Sequence, residues 1–318
     1  MDTSDQRGLG SFHNKRIAVV GDIMLDRFLE GTVTRKSPEA DASIVLWHKE
    51  NDILGGAANV AVNIKALGSK PELFSIVGQD DIGKTINRLL VKSKIKSHIL
   101  VDKKRMSTLK ARIFGNSKYL IRLDKETDKM VAPVLSKKLF QLIQKRISSY
   151  DAIVLSDYKK GTLSKHLVHA IIRLAVRNKI PTIADVKPQN MLWFKGVTIV
   201  KPNNNEAVEM AGTNNLRLAA SKISSMLGAH VLVTRGAKGM LLCKKEDKNY
   251  LDIKGLRVVK RDGIGAGDTA LAALSILIAA GQSPERSAQI ANVVSTLSVT
   301  KRGTTAVTLE ELKKYLNK

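Results

Sequence analysis

The sequence predicts an α/β fold with a mainly parallel central sheet and a small β-sheet set over one end of it. Three observations predict this. From residue 134 onward, short apolar runs alternate with amphipathic runs, the rhythm of βαβ units. Two earlier stretches, 42–48 and 106–123, alternate apolar and polar residues instead, and the second does so around Gly115-Asn116, as a hairpin would. The chain has 318 residues, 43% of them hydrophobic, enough for one large domain with an excursion.

Taken in order, "RIAVVGDI" (16–23) reads as a buried strand ending in a glycine turn. The strand "ASIVLWH" (42–48) leads to "GGAANVAVNIKALG" (55–68), whose small and apolar spacing predicts a helix closed by Gly68. "KPELFSIVG" is a strand and "DIGKTINRLLVKS" a helix. The hairpin 106–123 follows. Then helices "LSKKLFQLIQKRIS" and "LSKHLVHAIIRLAVRNK" alternate with strands "AIVLSD", "IPTIAD" and "VTIVKPN". Two further helices, "NNEAVEMAG" and "LRLAASKISSMLG", precede the strand "HVLVTRG". The early hairpin-like strands break the βαβ rhythm, which places the excursion at about 30–52 and 104–124. No fixed-period repeat, low-complexity segment or clear linker divides the chain, so a single domain over 1–318 is expected.

Composition narrows the function classes. The single cysteine, Cys243 in "MLLCKK", excludes an intramolecular disulfide, fits a reducing cytoplasmic setting and reads as a strand residue. The first sixteen residues lack an apolar segment, so no secretory leader is expected. The longest apolar run, Ala270–Ala280, is too short for a bilayer core of about 30 Å, so no membrane partner is expected. The net charge of +24 raises nucleic-acid binding. Against it, the 53 basic residues are spread along the chain and aromatics make up only 4%, a poor supply for base stacking. Solvated lysine faces with an attraction for anionic substrates fit better. His166 and His169, three apart on a helix, have no acidic or cysteine partner that would complete a metal set.

Open α/β sheets bind ligands beyond the carboxyl ends of their strands. In this chain those ends carry Gly21, Asp22 and Asp26; Asp157 and Lys160; Asp185 and Lys187; Asn203 and Glu206; and Thr234, Arg235 and Gly236. The last corner, "DGIGAGDTALAAL" from Asp262, sets Gly265, Ala266, Gly267 and Asp268 directly before a helix. Glycines let backbone amides approach a ligand, and a helix N-terminus is an anion site suited to a phosphoryl group. Asp268 at its edge is placed to accept a hydroxyl proton, or simply to cap the helix. A rival phosphate site is "GQDDIGKT" (78–85), which matches the P-loop pattern letter for letter. Asp80 and Asp81 argue against it, because they put two negative charges where phosphates would be cradled.

"GGAANVAVNIKALG" and "DGIGAGDTALAAL" resemble the two signatures of the ribokinase-like (PfkB) carbohydrate kinases, and the resemblance runs from about Arg16 to the C-terminus. "VVGDIMLDRFLEGTVTRKSPEA", "YLIRLDKE", "LSDYKKGTL" and "KPNNNEA" resemble the branch that acts on D-glycero-β-D-manno-heptose 7-phosphate in ADP-heptose and lipopolysaccharide core synthesis. The resemblance implies a three-layer α/β/α fold whose small sheet is a lid that closes over the sugar and often builds a homodimer. It also implies that "GQDDIGKT" is not a phosphate loop. Asp268 becomes the base that takes the sugar hydroxyl proton, with Gly265, Ala266 and Gly267 as the anion hole. Asp26, Gly55, Gly56 and Asn59 match positions that hold sugar hydroxyls. Asn203 and Glu206 match the N-x-x-E element that organises Mg2+ and the ATP phosphates, so that Glu206 acts on the metal indirectly. Thr234, Arg235 and Gly236 follow a strand where the family binds ATP, and Asn292 falls near the adenine pocket.

The substrate's own phosphate calls for cations, with Lys110, Arg112, Arg122 and Lys160 as candidates and Asp157 beside them. Two departures stand out: Ile264 replaces a threonine in the corner, and "ADVKPQN" replaces a "DPKG"-like run, leaving the roles of Asp185 and Lys187 open. The bifunctional members of the branch carry a second, nucleotidyltransferase domain, for which the 318 residues leave no room, so a stand-alone kinase is expected. Two alternatives stay open: a kinase of the same family for another sugar, sugar phosphate or nucleoside, and a basic nucleic-acid-binding protein.

Overall fold

The first strand explains why the architecture has layers. In the computed structural model, which describes residues 10–245, 250–259, 263–301 and 305–316, β1 (Arg16–Gly21) is buried at every residue after the first. Side chains alternate across a strand. Ile17 and Val19 therefore enter one apolar cluster, with α1 (Ala57–Ala66), α7 (Ala266–Ala279) and α8 (Pro284–Val299). Ala18 and Val20 enter another, with α3 (Pro133–Gln144), α4 (Lys165–Arg177) and α6 (Leu216–Leu227). A strand buried on both faces cannot show polar alternation, and "RIAVV" shows none.

β1 lies inside a nine-stranded sheet of order β13-β12-β11-β10-β9-β8-β1-β4-β5. β4 (Lys70–Gly78) and β8 (Ala152–Ser156) flank it in parallel, and β5 (Lys96–Asp102) closes that side. On the other side β9 (Thr182–Asp185), β10 (Ile199–Val200) and β11 (His230–Thr234) continue in parallel, before β12 (Met240–Cys243) and β13 (Tyr250–Ile253) turn antiparallel at the edge. Cys243 is a buried strand residue, as the sequence predicts.

A second sheet, of order β3-β2-β6-β7, stands apart. β2 (Ile23–Lys36) pairs antiparallel with β3 (Ser43–Gly56) and parallel with β6 (Thr108–Gly115), which forms a hairpin with β7 (Lys118–Lys125). The hairpin turns at Asn116 and Ser117, both left-handed at φ 52° and 64°, one residue later than the glycine suggests. This sheet reaches closer to the core than the 30–52 and 104–124 segments foreseen. Its roots at Met24, Leu25, Leu54, Gly55 and Gly56 are buried and lack alternation, while its tips are exposed.

The remaining helices are α2 (Asp81–Lys92), α5 (Asn204–Ala211) and α9 (Leu309–Leu316). The P-loop match falls on α2 and is no phosphate cradle. Asp80 caps the helix through the Gly83 amide at 2.8 Å and also accepts the Ser107 amide at 2.9 Å. Lys84 pairs with Asp81 on an exposed surface.

α1 begins at Ala57, because Gly55 and Gly56 complete β3 rather than open the helix. Gly56 has φ 61°, and a Cβ there would sit 2.4 Å from the Asp22 carbonyl. Gly56→Ala is expected to cost about 1–3 kcal/mol or more in urea unfolding, from left-handed strain plus that clash.

Candidate active site

A cleft of about 480 Å3 opens at the carboxyl ends of β8, β9, β10 and β11, facing the first turn of α7. Its walls bring together Asp157, Tyr158, Asp185, Lys187, Lys201 and Asn203, then Glu206, Thr234, Arg235, Gly236, Gly265, Gly267 and Asp268. Five of the six strand-end and corner groups picked from the sequence thus line one cleft, while Gly21, Asp22 and Asp26 do not.

Gly265 enters α7 in the left-handed conformation at φ 79°. The first intrahelical bond is Thr269 N–H to the Gly265 carbonyl at 2.9 Å. The amides of Gly267 and Asp268 therefore precede the helix ladder and have no partner within it, while that of Ala266 turns back to the Gly263 carbonyl at 3.5 Å. Lys201, almost wholly buried, brings its ammonium near this turn: a Cβ on Gly267 would lie 3.6 Å from its Nζ. Asp185 holds that ammonium at 2.8 Å. Helix amides and a fixed cation together make a strong anion hole. Asp262, at the start of the corner, lies outside the described residues.

Asp268 is buried and doubly engaged. Asn59 Nδ2 donates to its Oδ2 at 2.7 Å, and the Tyr158 hydroxyl donates to its Oδ1 at 2.5 Å. Asn63 fixes the orientation of the Asn59 amide by donating to its Oδ1 at 3.2 Å, while Thr269 donates to Asn63 Oδ1 at 2.9 Å. Burial pushes the Asp268 carboxyl up, the two donors pull it back and Asp185 raises it, leaving it at about 6. A carboxylate poised there can take a proton near neutral pH and still pass it on. Asn59, expected to hold sugar, is in this state a partner of the base.

The Tyr158 loop is tied down by Asp22. Its Oδ2 accepts the amides of Tyr158 and Lys160, each at 2.9 Å, and its Oδ1 that of Thr162 at 2.9 Å. Asp157, next door, accepts from Asn190 Nδ2 at 2.8 Å and from the Lys159 amide at 2.7 Å. Burial raises its carboxyl to about 6, with the Asn190 bond opposing and the nearby Asp22 adding to the rise.

Asn203 and Glu206 form a reciprocal capping box at the start of α5, each side chain accepting the other's amide at 2.9 Å. The remaining Glu206 oxygen takes the Lys187 ammonium at 2.6 Å. Lys187 is raised despite its burial, because Glu206 and Asp185 lie close. Both Glu206 oxygens are thus spoken for. Among the described residues no group of three or more His, Cys, Asp or Glu could hold a metal ion. Arg235 lines the cleft but anchors to Asp252 at 2.5 Å and to the Met240 carbonyl at 2.9 Å. Asn292 is buried on α8, donates to the Lys254 carbonyl at 3.0 Å, and does not line the cleft.

Register explains the four phosphate candidates. Lys110 and Arg112 share a face of β6, and β7 sets Asp124 and Arg122 opposite them. Lys110 pairs with Asp124 at 3.0 Å and Glu126 at 2.9 Å; Lys160 reaches the same Glu126 at 2.8 Å; Arg122 holds Asp124 at 2.8 Å. Arg112 pairs with the buried Asp26 and lies 5.4 Å over the Phe28 ring. Gly55 makes room for that pair, since a Cβ there would lie 2.4 Å from Asp26 Oδ2. Lys110, Arg122 and Lys160 therefore gather around two carboxylates, while Arg112 serves Asp26.

Sequence reasoning gave no role to Tyr158, Lys201, Asn63 or Asn190. "LSDY" and "VTIVK" are visible strand ends, but nothing local says that Tyr158 meets a residue 110 positions away.

An α/β cleft with a buried carboxylate beside a glycine-opened helix is the architecture of a sugar kinase. The chain belongs to the pfkB family of carbohydrate kinases, whose model matches residues 14–312. It is 35% identical over 302 residues to the D-beta-D-heptose 7-phosphate kinase of Bordetella bronchiseptica, covering 93% of this chain and 95% of that one. It is 37% identical over 314 residues to the bifunctional protein HldE of Caulobacter vibrioides, covering 95% of this chain but only 63% of that longer protein. The same fold occurs in Escherichia coli phosphofructokinase-2 in complex with fructose-6-phosphate, at TM-score 0.79 and 17% identity, covering 96% of this chain and all of that one. Arabidopsis thaliana ribokinase complexed with ribose and ATP matches at TM-score 0.73 and 16% identity, over 96% and 99% of the two chains. Among the described residues no helix is long and apolar enough to cross a membrane.

Two outcomes are expected. Lys84→Ala leaves kinase turnover within about twofold, because its surface ion pair carries little. Tyr158→Phe removes a donor that lowers the Asp268 pKa, so the acid limb of the kcat/KM profile moves to higher pH; a pH series on the variant reads the shift.

Proposed function

We propose that this carbohydrate kinase transfers the γ-phosphate of ATP to the C1 hydroxyl of D-glycero-β-D-manno-heptose 7-phosphate, giving the 1,7-bisphosphate for ADP-heptose and lipopolysaccharide core synthesis in the cytoplasm. The observation that carries the reaction type is Asp268: buried, held by two donors, raised to about 6, and set against the open amides of α7. Deprotonated, it accepts the proton of the attacking hydroxyl. The amides at Gly265–Gly267 and the Lys201 ammonium face the charge that develops on the transferring group. Lys187, Asn203, Glu206 and Thr234–Gly236 line the cleft where the nucleotide phosphates would lie, and magnesium bound there would neutralise those phosphates.

The heptose reading draws support from the relatives' names and from the basic cluster. Lys110, Arg122 and Lys160 sit on and beside the small sheet, positioned to exchange Asp124 and Glu126 for a sugar phosphate. Arg112 holds Asp26 ready for a hydroxyl. We read the small sheet as a lid that excludes water when it closes. Its exposed Trp47, Ile121 and Leu123 supply apolar side chains suited to a homodimer through the lid.

A coupled ADP-release assay with ATP and Mg2+ tests the proposal, comparing heptose 7-phosphate with fructose 6-phosphate, ribose and adenosine. Turnover is expected on the heptose; turnover only on another acceptor overturns the substrate and keeps the kinase. Asp268→Asn is expected to lower kcat by about 10² to 10⁴-fold, the usual worth of a general base, while ATP still binds by calorimetry. In the wild-type protein, kcat/KM should fall as the pH drops through about 6, because the base is then protonated. An unchanged rate down to pH 5 would remove Asp268 from that role.

A further inference from the structure

The amino-terminal edge of the large sheet, opposite the catalytic cleft, is strongly basic for a topological reason. β1, β4 and β5 start with Arg16, Lys70 and Lys96, and parallel register sets Arg16 directly beside Lys70. Lys65 in the last turn of α1 and Lys94 after α2 come down at the same edge. These five cations line a depression of about 420 Å3 together with Glu72 and Tyr150.

The charges there are not balanced from within. Glu72 is shared among His98 at 2.6 Å, Lys96 at 3.1 Å and Arg146 at 3.2 Å. Burial raises its carboxyl, but the His98 and Lys96 bonds outweigh burial and hold it below the ordinary value. Asp151 accepts the Arg16 backbone amide at 2.7 Å. Lys65 is satisfied by the carbonyls of Ser93 and Lys94 at 2.6 Å and 2.9 Å, which neutralise no charge. The side chains of Arg16, Lys70 and Lys94 make no ion pair among the described residues. A second observation is the Tyr150 hydroxyl. The residue is only 6% exposed, and burial together with the charge and hydrogen bond of Glu72 beside it pushes the phenol up, so Glu72 serves one more donor and has less to offer the lysines.

We propose that this depression is a second anion site, separate from the catalytic cleft, which takes a small molecule carrying two or more phosphate groups. A single negative charge would leave most of the cations facing one another, whereas a diphosphate offers several acceptor oxygens to lysines acting as point charges. The compact, concave shape favours a small molecule over an extended nucleic-acid backbone, which wants a stripe of cations and stacking aromatics.

The test titrates the full-length, 15N-labelled protein with inorganic pyrophosphate and follows backbone amides by NMR. Saturable shifts are expected at Arg16, Lys70 and Lys96. In the Lys70→Gln/Lys94→Gln double variant the affinity read at those amides should fall at least about tenfold. Shifts at Lys187 and Gly267, which report the catalytic cleft, should be unaltered by the double substitution, as should basal ADP release. Shifts confined to the cleft, non-saturating shifts up to millimolar pyrophosphate, or equal affinity in the variant would overturn the site. A short DNA duplex that moves the same amides more tightly than pyrophosphate would overturn the small-molecule reading. Because the cleft is read by its own amides, a failure of the kinase proposal would show separately.

Discussion

The structure turns on a carboxylate kept out of water. Asp268 lies at the junction of two helices and a loop from the sheet: α7 carries it, α1 supplies Asn59, and the loop after β8 supplies Tyr158. Burying an ionised carboxylate is costly unless donors compensate, and here two compensate in part. The compensation is deliberately short of complete, since full satisfaction would pull the carboxyl back to an ordinary, weakly basic value. The long apolar body of α7, buried along most of its length, is what holds the residue at that depth.

Much of the remaining polar architecture serves to hold those donors in place. Asp22 gathers three amides of the Tyr158 loop, and Asn63 sets the Asn59 amide so that its nitrogen faces the carboxylate. Gly56 must be glycine for α1 to start against Asp22, which links the signature "GGAAN" to the base at the far end of the chain. Asp22, Asp157 and Asp185 lie at the ends of neighbouring strands and face Asp268 on the first turn of α7; after burial, Asp22 adds to the rise of Asp157 and Asp185 to that of Asp268, and both stand at about 6. Lys187 and Lys201 keep that collection of acids from repelling an anionic substrate.

The strand–helix rhythm and the glycine-opened corner were legible because both depend on local chemistry: apolar period, glycine conformation and helix-start geometry. The family resemblance singled out Asp268, Asn203, Glu206 and Thr234–Gly236, and all of them line the one cleft. What was hidden depends on distant pairing. Lys110 and Arg122 look like spare cations until register sets Asp124 beside them, and Lys160 until Glu126, just past β7, reaches it. Asn292 looks available until the Lys254 carbonyl takes its amide. The P-loop match is perfect as a string, yet Asp80 spends both carboxylate oxygens on backbone amides. The roots of β2 and β3 were missed because buried strands lose the alternation that reveals exposed ones.

The most direct test of this account is the titration of Asp268 itself, read by carbon-13 NMR of aspartate carboxyls in the wild-type protein and assigned by difference with Asp268→Asn. The account predicts a resonance that titrates at about 6. A carboxyl that titrates near the ordinary value of about 3.9 would mean that Asp268 is solvated or fully satisfied, and would contradict its role as the poised base.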